Sequence, residues 1–223
     1  EGVVVKAGSC SGEAKGANGK ALLRAASDRN WREVRKLILD EQDPSAVDGQ
    51  GLTALHYAAI NGSEELARTL LELGPVGLIY HEAPGGKTCL WVACLHGHLG
   101  VAKILIAAGG EALLLTTHQE GASCLSVACQ KGHLEIVETM IQAGGEPLLF
   151  KTEKDGCTCL HIACHKGHLA IAKALIAAGG KALLAMIDNE GCTCLFIACQ
   201  FGHPEIAKAL VEAGGAALLR TTD

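Results

Sequence analysis

From Cys159 to Gly180 the chain reads C-L-H-I-A-C-H-K-G-H-L-A-I-A-K-A-L-I-A-A-G-G. Two apolar runs flank the pair Gly167-His168, and in the second Leu169, Ala172, Leu175 and Ile176 fall at helical spacing before Gly179-Gly180 stops the run. The pattern predicts two short antiparallel helices. A hydroxyl residue stands before the first run of every such block, at Thr53, Thr88, Ser123, Thr158 and Thr193, where it can cap a helix N-terminus. A glycine ends the run each time, at Gly62, Gly97, Gly132, Gly167 and Gly202. Pro204 replaces Leu169 in the last block, consistent with the first turn of a helix, where a missing N–H costs nothing. The following x-A-L-L segment predicts one further helical turn, leading to a polar tip such as Asp188-Asn189-Glu190-Gly191.

The tip glycines Gly51, Gly86, Gly121, Gly156 and Gly191 mark a period of 35 residues. Helices this short cannot bury an apolar stripe alone, so neighbouring blocks must stack around a shared core. The expected fold class is an all-α solenoid. Its blocks are 51–85, 86–120, 121–155, 156–190 and 191–223, the last incomplete at its C-terminal end. Residues 20–50 fit a degenerate capping block, with Arg24, Arg29 and Arg32 making its outer side water-compatible. Residues 1–19 read as an extended tail in which Val3, Val4 and Val5 could add a strand to a sheet edge. The chain stops where a further block would begin, so a further repeat or a partner is expected on that face.

The stretches T-A-L-H-Y-A-A-I-N-G-S-E-E-L-A-R-T-L-L from Thr53 and S-C-L-S-V-A-C-Q-K-G-H-L-E-I-V-E-T-M-I from Ser123 resemble the ankyrin repeat. The resemblance covers residues from about 20 to 223 and implies stacked helix pairs with projecting hairpin-like loops and a concave groove. It also implies a structural, hydrogen-bonding role for His98, His133, His168 and His203 near the turn between helices. Two departures stand out. G-G-x-A-L-L lengthens the connection to the tip, and cysteine replaces the family proline at 89, 124, 159 and 194 and an alanine at 94, 129, 164 and 199.

Composition narrows the function. The formal charge is −5 with no run of one sign, so phosphate neutralisation has no source and a nucleic-acid partner is not expected. Apolar runs such as Ala112–Leu115 and Ala182–Ile187 fall far short of the roughly 20 residues that span a bilayer, so no direct membrane span is expected. The eleven cysteines are too regular for a disulfide framework. Equivalent residues of stacked helices lie about 8–10 Å apart, beyond the roughly 7 Å Cα limit of a disulfide. Free thiols in an intracellular, reducing compartment follow, cytoplasmic or organellar. The cysteines at 94, 129, 164 and 199 should face the stack as small hydrophobes, whereas Cys157 and Cys192 should be more exposed.

His161 and His165 are four apart on one helix, a spacing that zinc sites use, with Cys157 or His168 as possible recruits, but no metal is expected. The other blocks carry no such pair, and no cofactor is expected. A catalytic Cys–His pair would have to be unique and oriented, so the block pattern points away from an enzyme or a small-molecule substrate. By the resemblance, the groove is lined by the residue after each opening glycine, by the tip, and by the two residues before each G-H pair. The candidate partner-binding residues are Lys87, Trp91, Leu95, His96, Gln130, Lys131, His165, Lys166, Phe196, Gln200 and Phe201. The expected function is a non-enzymatic protein-interaction module with a mildly basic groove centre at Lys87, Lys131, His165 and Lys166 and apolar ends at Ile60, Leu95 and Phe201, matched to a partner offering carboxylates flanked by hydrophobic side chains. The alternatives are a structural subunit contacting several chains of a larger complex through its tail and last repeat, and a zinc or thiol redox module.

Overall fold

The computed structural model describes residues 19–118 and 121–215. Among these, twelve α-helices pair along the chain: α1 Lys20–Ser27 with α2 Trp31–Leu39, α3 Ala54–Asn61 with α4 Glu64–Leu73, and α5 Cys89–His96 with α6 Leu99–Leu114. The series continues with α7 Cys124–Lys131 and α8 Leu134–Leu149, α9 Cys159–Lys166 and α10 Leu169–Leu184, and α11 Cys194–Gln200 and α12 Pro204–Gly214. The odd-numbered helices stack on one another in an inner row, and the even-numbered ones in an outer row. The result is an all-α solenoid.

The helix boundaries come from the residues that repeat. Thr88, Ser123, Thr158 and Thr193 each accept a hydrogen bond from the backbone N–H three residues on, at 3.1–3.4 Å. Such a cap is worth about 1 kcal/mol. Gly97, Gly132 and Gly167 end the inner helices with φ between 76° and 81°. A Cβ at Gly97 or Gly167 would also come within 2.5 Å of the imidazole of the next block, His133 and His203 respectively. The G-H histidines therefore reach back across the stack: His98, His168 and His203 meet the carbonyls of Ile60, Gln130 and His165 through Nε2 at 3.0, 3.3 and 3.4 Å. They bind one block to the block before it, rather than only the turn they sit in.

The x-A-L-L segments form the predicted helical turn, joined to the outer helix through a kink at the second glycine. Gly110, Gly145 and Gly180 take φ 54–57° and ψ near −150°, a region essentially reserved for glycine. The bend folds Leu113-Leu114, Leu148-Leu149 and Leu183-Leu184 under the stack, where all six are buried. Block 51–85 departs from this: a 3-10 turn, Val76–Tyr80, buries Leu78 and Ile79 in their place. Beyond each turn a single antiparallel bridge closes the projecting loop, pairing Ala83 with Lys87, Thr117 with Ser123, Thr152 with Thr158 and Ile187 with Thr193.

One continuous core runs from Leu22 to Leu210. Its N-terminal end is covered by α1 and α2, whose Arg24, Arg29 and Arg32 point to solvent. Seven of the cysteines, 89, 94, 124, 129, 159, 164 and 194, are buried and unpaired by disulfides. Cys94, Cys129 and Cys164 interact electrostatically with Cys124, Cys159 and Cys194 of the following block, and the Cys94 thiol donates to Met140 Sδ at 3.8 Å. Cys199 contradicts the expectation for its position. It is exposed, because among the described residues no helix pair follows α12 to cover it. The expected tail strand at Val3–Val5 and the face at Asp223 lie outside the described residues.

Candidate partner-binding groove

A groove of about 840 Å³ lies between the projecting tips and the C-terminal ends of the inner helices. Its helix-side wall carries Gln130 from the end of α7, His165 and Lys166 from α9, and Gln200 and Phe201 from α11. These positions vary from block to block because they lie past the last buried turn of each helix. The His165 ring rests on Phe201 with centroids 4.2 Å apart, so the two form one aromatic surface. Trp91 and His118 close the groove at its other end, stacked at 5.4 Å. The Lys87 ammonium sits 5.5 Å over the indole, and the buried Trp91 Nε1 has no hydrogen-bond acceptor.

The opposite wall is acidic. The tips place Glu153, Asp155, Asp188 and Glu190 along the cavity. Two of these carboxylates also build the loops that display them. Asp155 Oδ1 accepts from Cys157 N at 3.0 Å, and Asp188 Oδ1 accepts from the amides of Glu190 and Cys192 at 2.9 and 2.8 Å. Neighbouring tips are tied together by Asn189, which donates through its backbone N and Nδ2 to the carbonyls of Asp155 and Lys154, each at 2.9 Å. The acidic strip is thus held in fixed register.

That potential is visible in the thiols at the groove base. Burial pushes the Cys157 thiol up to about 12, with Asp155 the next cause and Asp188 and Glu153 adding to it. Cys192 is also raised, through burial and then Asp188 and Glu190. Neither thiol is poised for reaction, since the thiolate would form beside carboxylates.

The two metal candidates, His161 and His165, serve different partners. His161 is buried, with Nδ1 taken by the Thr158 backbone N and hydroxyl at 3.2 and 2.8 Å and Nε2 by the Cys192 carbonyl at 3.3 Å. Burial lowers its pKa, and the Cys192 carbonyl only partly offsets this. His165 lies on the surface against Phe201, so the two rings serve different partners. Among the described residues no group of three His, Cys, Asp or Glu could hold a metal ion.

Of the residues picked from sequence, Trp91, Gln130, His165, Lys166, Gln200 and Phe201 line one groove. Lys87 acts on it through the Trp91 ring, while Leu95, His96, Lys131 and Phe196 stand outside it. Phe196 is 49% exposed at the end of the inner row, where no further tip covers it among the described residues. The expected basic centre is therefore corrected: only Lys166 of the lysines lines the cavity, facing four carboxylates. Sequence reasoning missed those carboxylates and His118. Aligned by the 35-residue period, the tip positions read Asp48/Gln50, Ala83/Gly85, His118/Glu120, Glu153/Asp155 and Asp188/Glu190, and that column carries the signal.

A family profile described as ankyrin repeats (3 copies) matches residues 5–81, 76–151 and 125–221. Two plant proteins match over 77 residues: the BTB/POZ domain and ankyrin repeat-containing protein BOP of Lupinus luteus at 40% identity, and NBCL of Lupinus angustifolius at 39%. In each case the match covers 30% of this chain and only 16% of the plant protein. Among solved structures, EF0377, an ankyrin repeat protein, superposes with TM-score 0.78 at 26% identity over 87% of this chain and 98% of its own. A chain in the complex of the predatory endopeptidase Bd0816 from Bdellovibrio bacteriovorus with immunity protein Bd3460 gives TM-score 0.74 at 27% identity, covering 86% and 97%. No helix among the described residues is long and apolar enough to cross a membrane.

Proposed function

The chain belongs to the ankyrin-repeat family, and from that premise we propose that it is a non-enzymatic protein-interaction module that holds a segment of a partner protein in the groove. One observation carries this reading: blocks nearly identical in their buried residues differ at the positions that line a single open cavity. An aromatic surface at each end, Trp91–His118 and His165–Phe201, supplies anchors of the kind that dominate binding energy. The non-enzymatic reading is supported by the chemistry of the residues at the groove base. His161 spends both nitrogens on structure, and Cys157 and Cys192 are held protonated.

A displayed peptide library selected on the intact chain tests the proposal. Selected binders should lose at least tenfold in affinity to Phe201→Ala, a truncation of a rim aromatic, while circular dichroism shows the fold retained. Binders indifferent to Phe201→Ala and Lys166→Glu would place recognition elsewhere.

The assembly-subunit reading keeps one observation in its favour, the exposed Phe196 and Cys199 at the end of the inner row. It predicts binders sensitive to Phe196→Lys instead.

A further inference from the structure

We infer that the partner segment is cationic and extended, with Lys or Arg at every third residue facing the tips; this rests on the groove reading above. Consecutive tips present carboxylate pairs, Glu153 with Asp155 and Asp188 with Glu190. Asp155, Asp188 and Glu190 take no part in the salt bridges Arg24–Asp28, Lys36–Glu33 and Arg68–Glu64. Lys166 is the one ammonium lining the cavity with them, and Lys154, beside Asp155, is exposed and unpaired with any of these three. The strip therefore reaches a ligand with most of its negative charge uncompensated, at a site where one wall is protein and screening is weaker than in bulk water.

Geometry sets the spacing. Stacked helices, and the tips that continue them, repeat about every 8–10 Å. An extended chain advances about 3.3 Å per residue, so side chains three apart meet successive tips. The other end of the groove sets direction. Lys87 and the acceptor-less Trp91 Nε1 disfavour a cation there and call for a carbonyl or amide oxygen. Basic residues thus lie toward α9 and α11, and the segment's uncharged end lies toward Trp91.

The test uses three labelled twelve-residue peptides with Arg, Gln or Glu at every third position and Leu or Phe between, titrated by fluorescence anisotropy against the intact chain. The Arg peptide should bind tightest. Asp155→Asn with Glu190→Gln, which preserves the Asp155 Oδ1 cap as an amide oxygen, should weaken it by about tenfold, since each exposed pair contributes a factor of a few. Phe201→Ala should weaken all binding peptides, and added salt should weaken the Arg peptide alone. Equal or tighter binding of the Gln or Glu peptide, still sensitive to Phe201→Ala, overturns the cationic inference and leaves the groove reading standing. Arg-peptide binding that survives both Phe201→Ala and the double carboxylate change is attraction to net charge, and overturns both. Failure of all three peptides to bind overturns the cationic, extended partner, and the library selection then decides the groove by itself.

Discussion

The buried side of the inner helices α3, α5, α7, α9 and α11 and their exposed C-terminal ends follow opposite rules. On the buried side of those helices, leucines at 55, 90, 125 and 160 are fully enclosed and the capping hydroxyls recur without exception. One turn further on, the ends of the same helices present Asn61, His96, Lys131, Lys166 and Phe201, with only the lysine repeated. Position 56 and its equivalents show the transition within one column. His56 and His161 reach the next tip through Nε2, at Lys87 and Cys192. Trp91 turns instead to stack on His118, Ser126 bonds back to the Ser123 carbonyl, and Phe196 faces solvent. Shape is carried by what repeats and recognition by what does not, so substitutions should separate cleanly into those that move stability and those that move binding.

The sharpest break on the stability side is Leu160→Ala, which leaves a cavity in the continuous core and should cost about 2–5 kcal/mol, read as the shift in urea midpoint. Next is Gly180→Ala. Nothing lies within 4 Å of the added Cβ, so the penalty comes from φ +54° alone; it should be about 1–3 kcal/mol, whereas Gly49→Ala, also in open space but without that dihedral, should be close to neutral.

His161→Phe copies the residue of the last block into the fourth. It should cost about 1 kcal/mol from the lost bond to the Cys192 carbonyl. It should also flatten the acid limb of the stability curve. Burial lowers the folded-state pKa of His56 and His161 below their ordinary 6.5. The unfolded chain then binds more protons, and stability falls as pH drops below about 6.5 toward the folded values. Thermal melts across pH 5–8 would show a shallower slope in the variant, and an unchanged slope would mean His161 does not titrate on unfolding.

Thiol labelling separates the two sides chemically. Among the described cysteines, Cys199 should react first with iodoacetamide and the seven buried thiols only on unfolding, mapped by mass spectrometry. The smallest stability effect belongs to Phe201→Ala, within about 0.5 kcal/mol, despite its tenfold cost in binding.

Much of the inner row was legible in the sequence because its signals are local. A capping threonine, a left-handed glycine and the spacing of Leu169, Ala172 and Leu175 each act within one helix turn. The Gly179-Gly180 kink could be read as a stop but not as a bend, since the leucine contact that requires it lies four residues on, at Leu183. The groove was legible on its helix side, where Gln130, Lys166 and Phe201 follow from block position. Its tip side was legible as lining but not as acidic, because the carboxylates of Asp155 and Asp188 also serve as turn formers, and only stacking shows that they face Phe201 across one cavity. The free thiols were legible from their regular placement, whereas the diagonal approach of Cys94 to Cys124 was not, because it depends on how successive blocks stack.

Amide hydrogen exchange of the intact chain, with and without the Arg peptide, tests the central separation most directly. The account predicts protection concentrated at residues 153–157 and 188–192 and at the ends of α9 and α11, with the outer helices α8 and α10 unchanged. Protection confined to α8, α10 or the α12 end, with the tips exchanging as in the free chain, would contradict it.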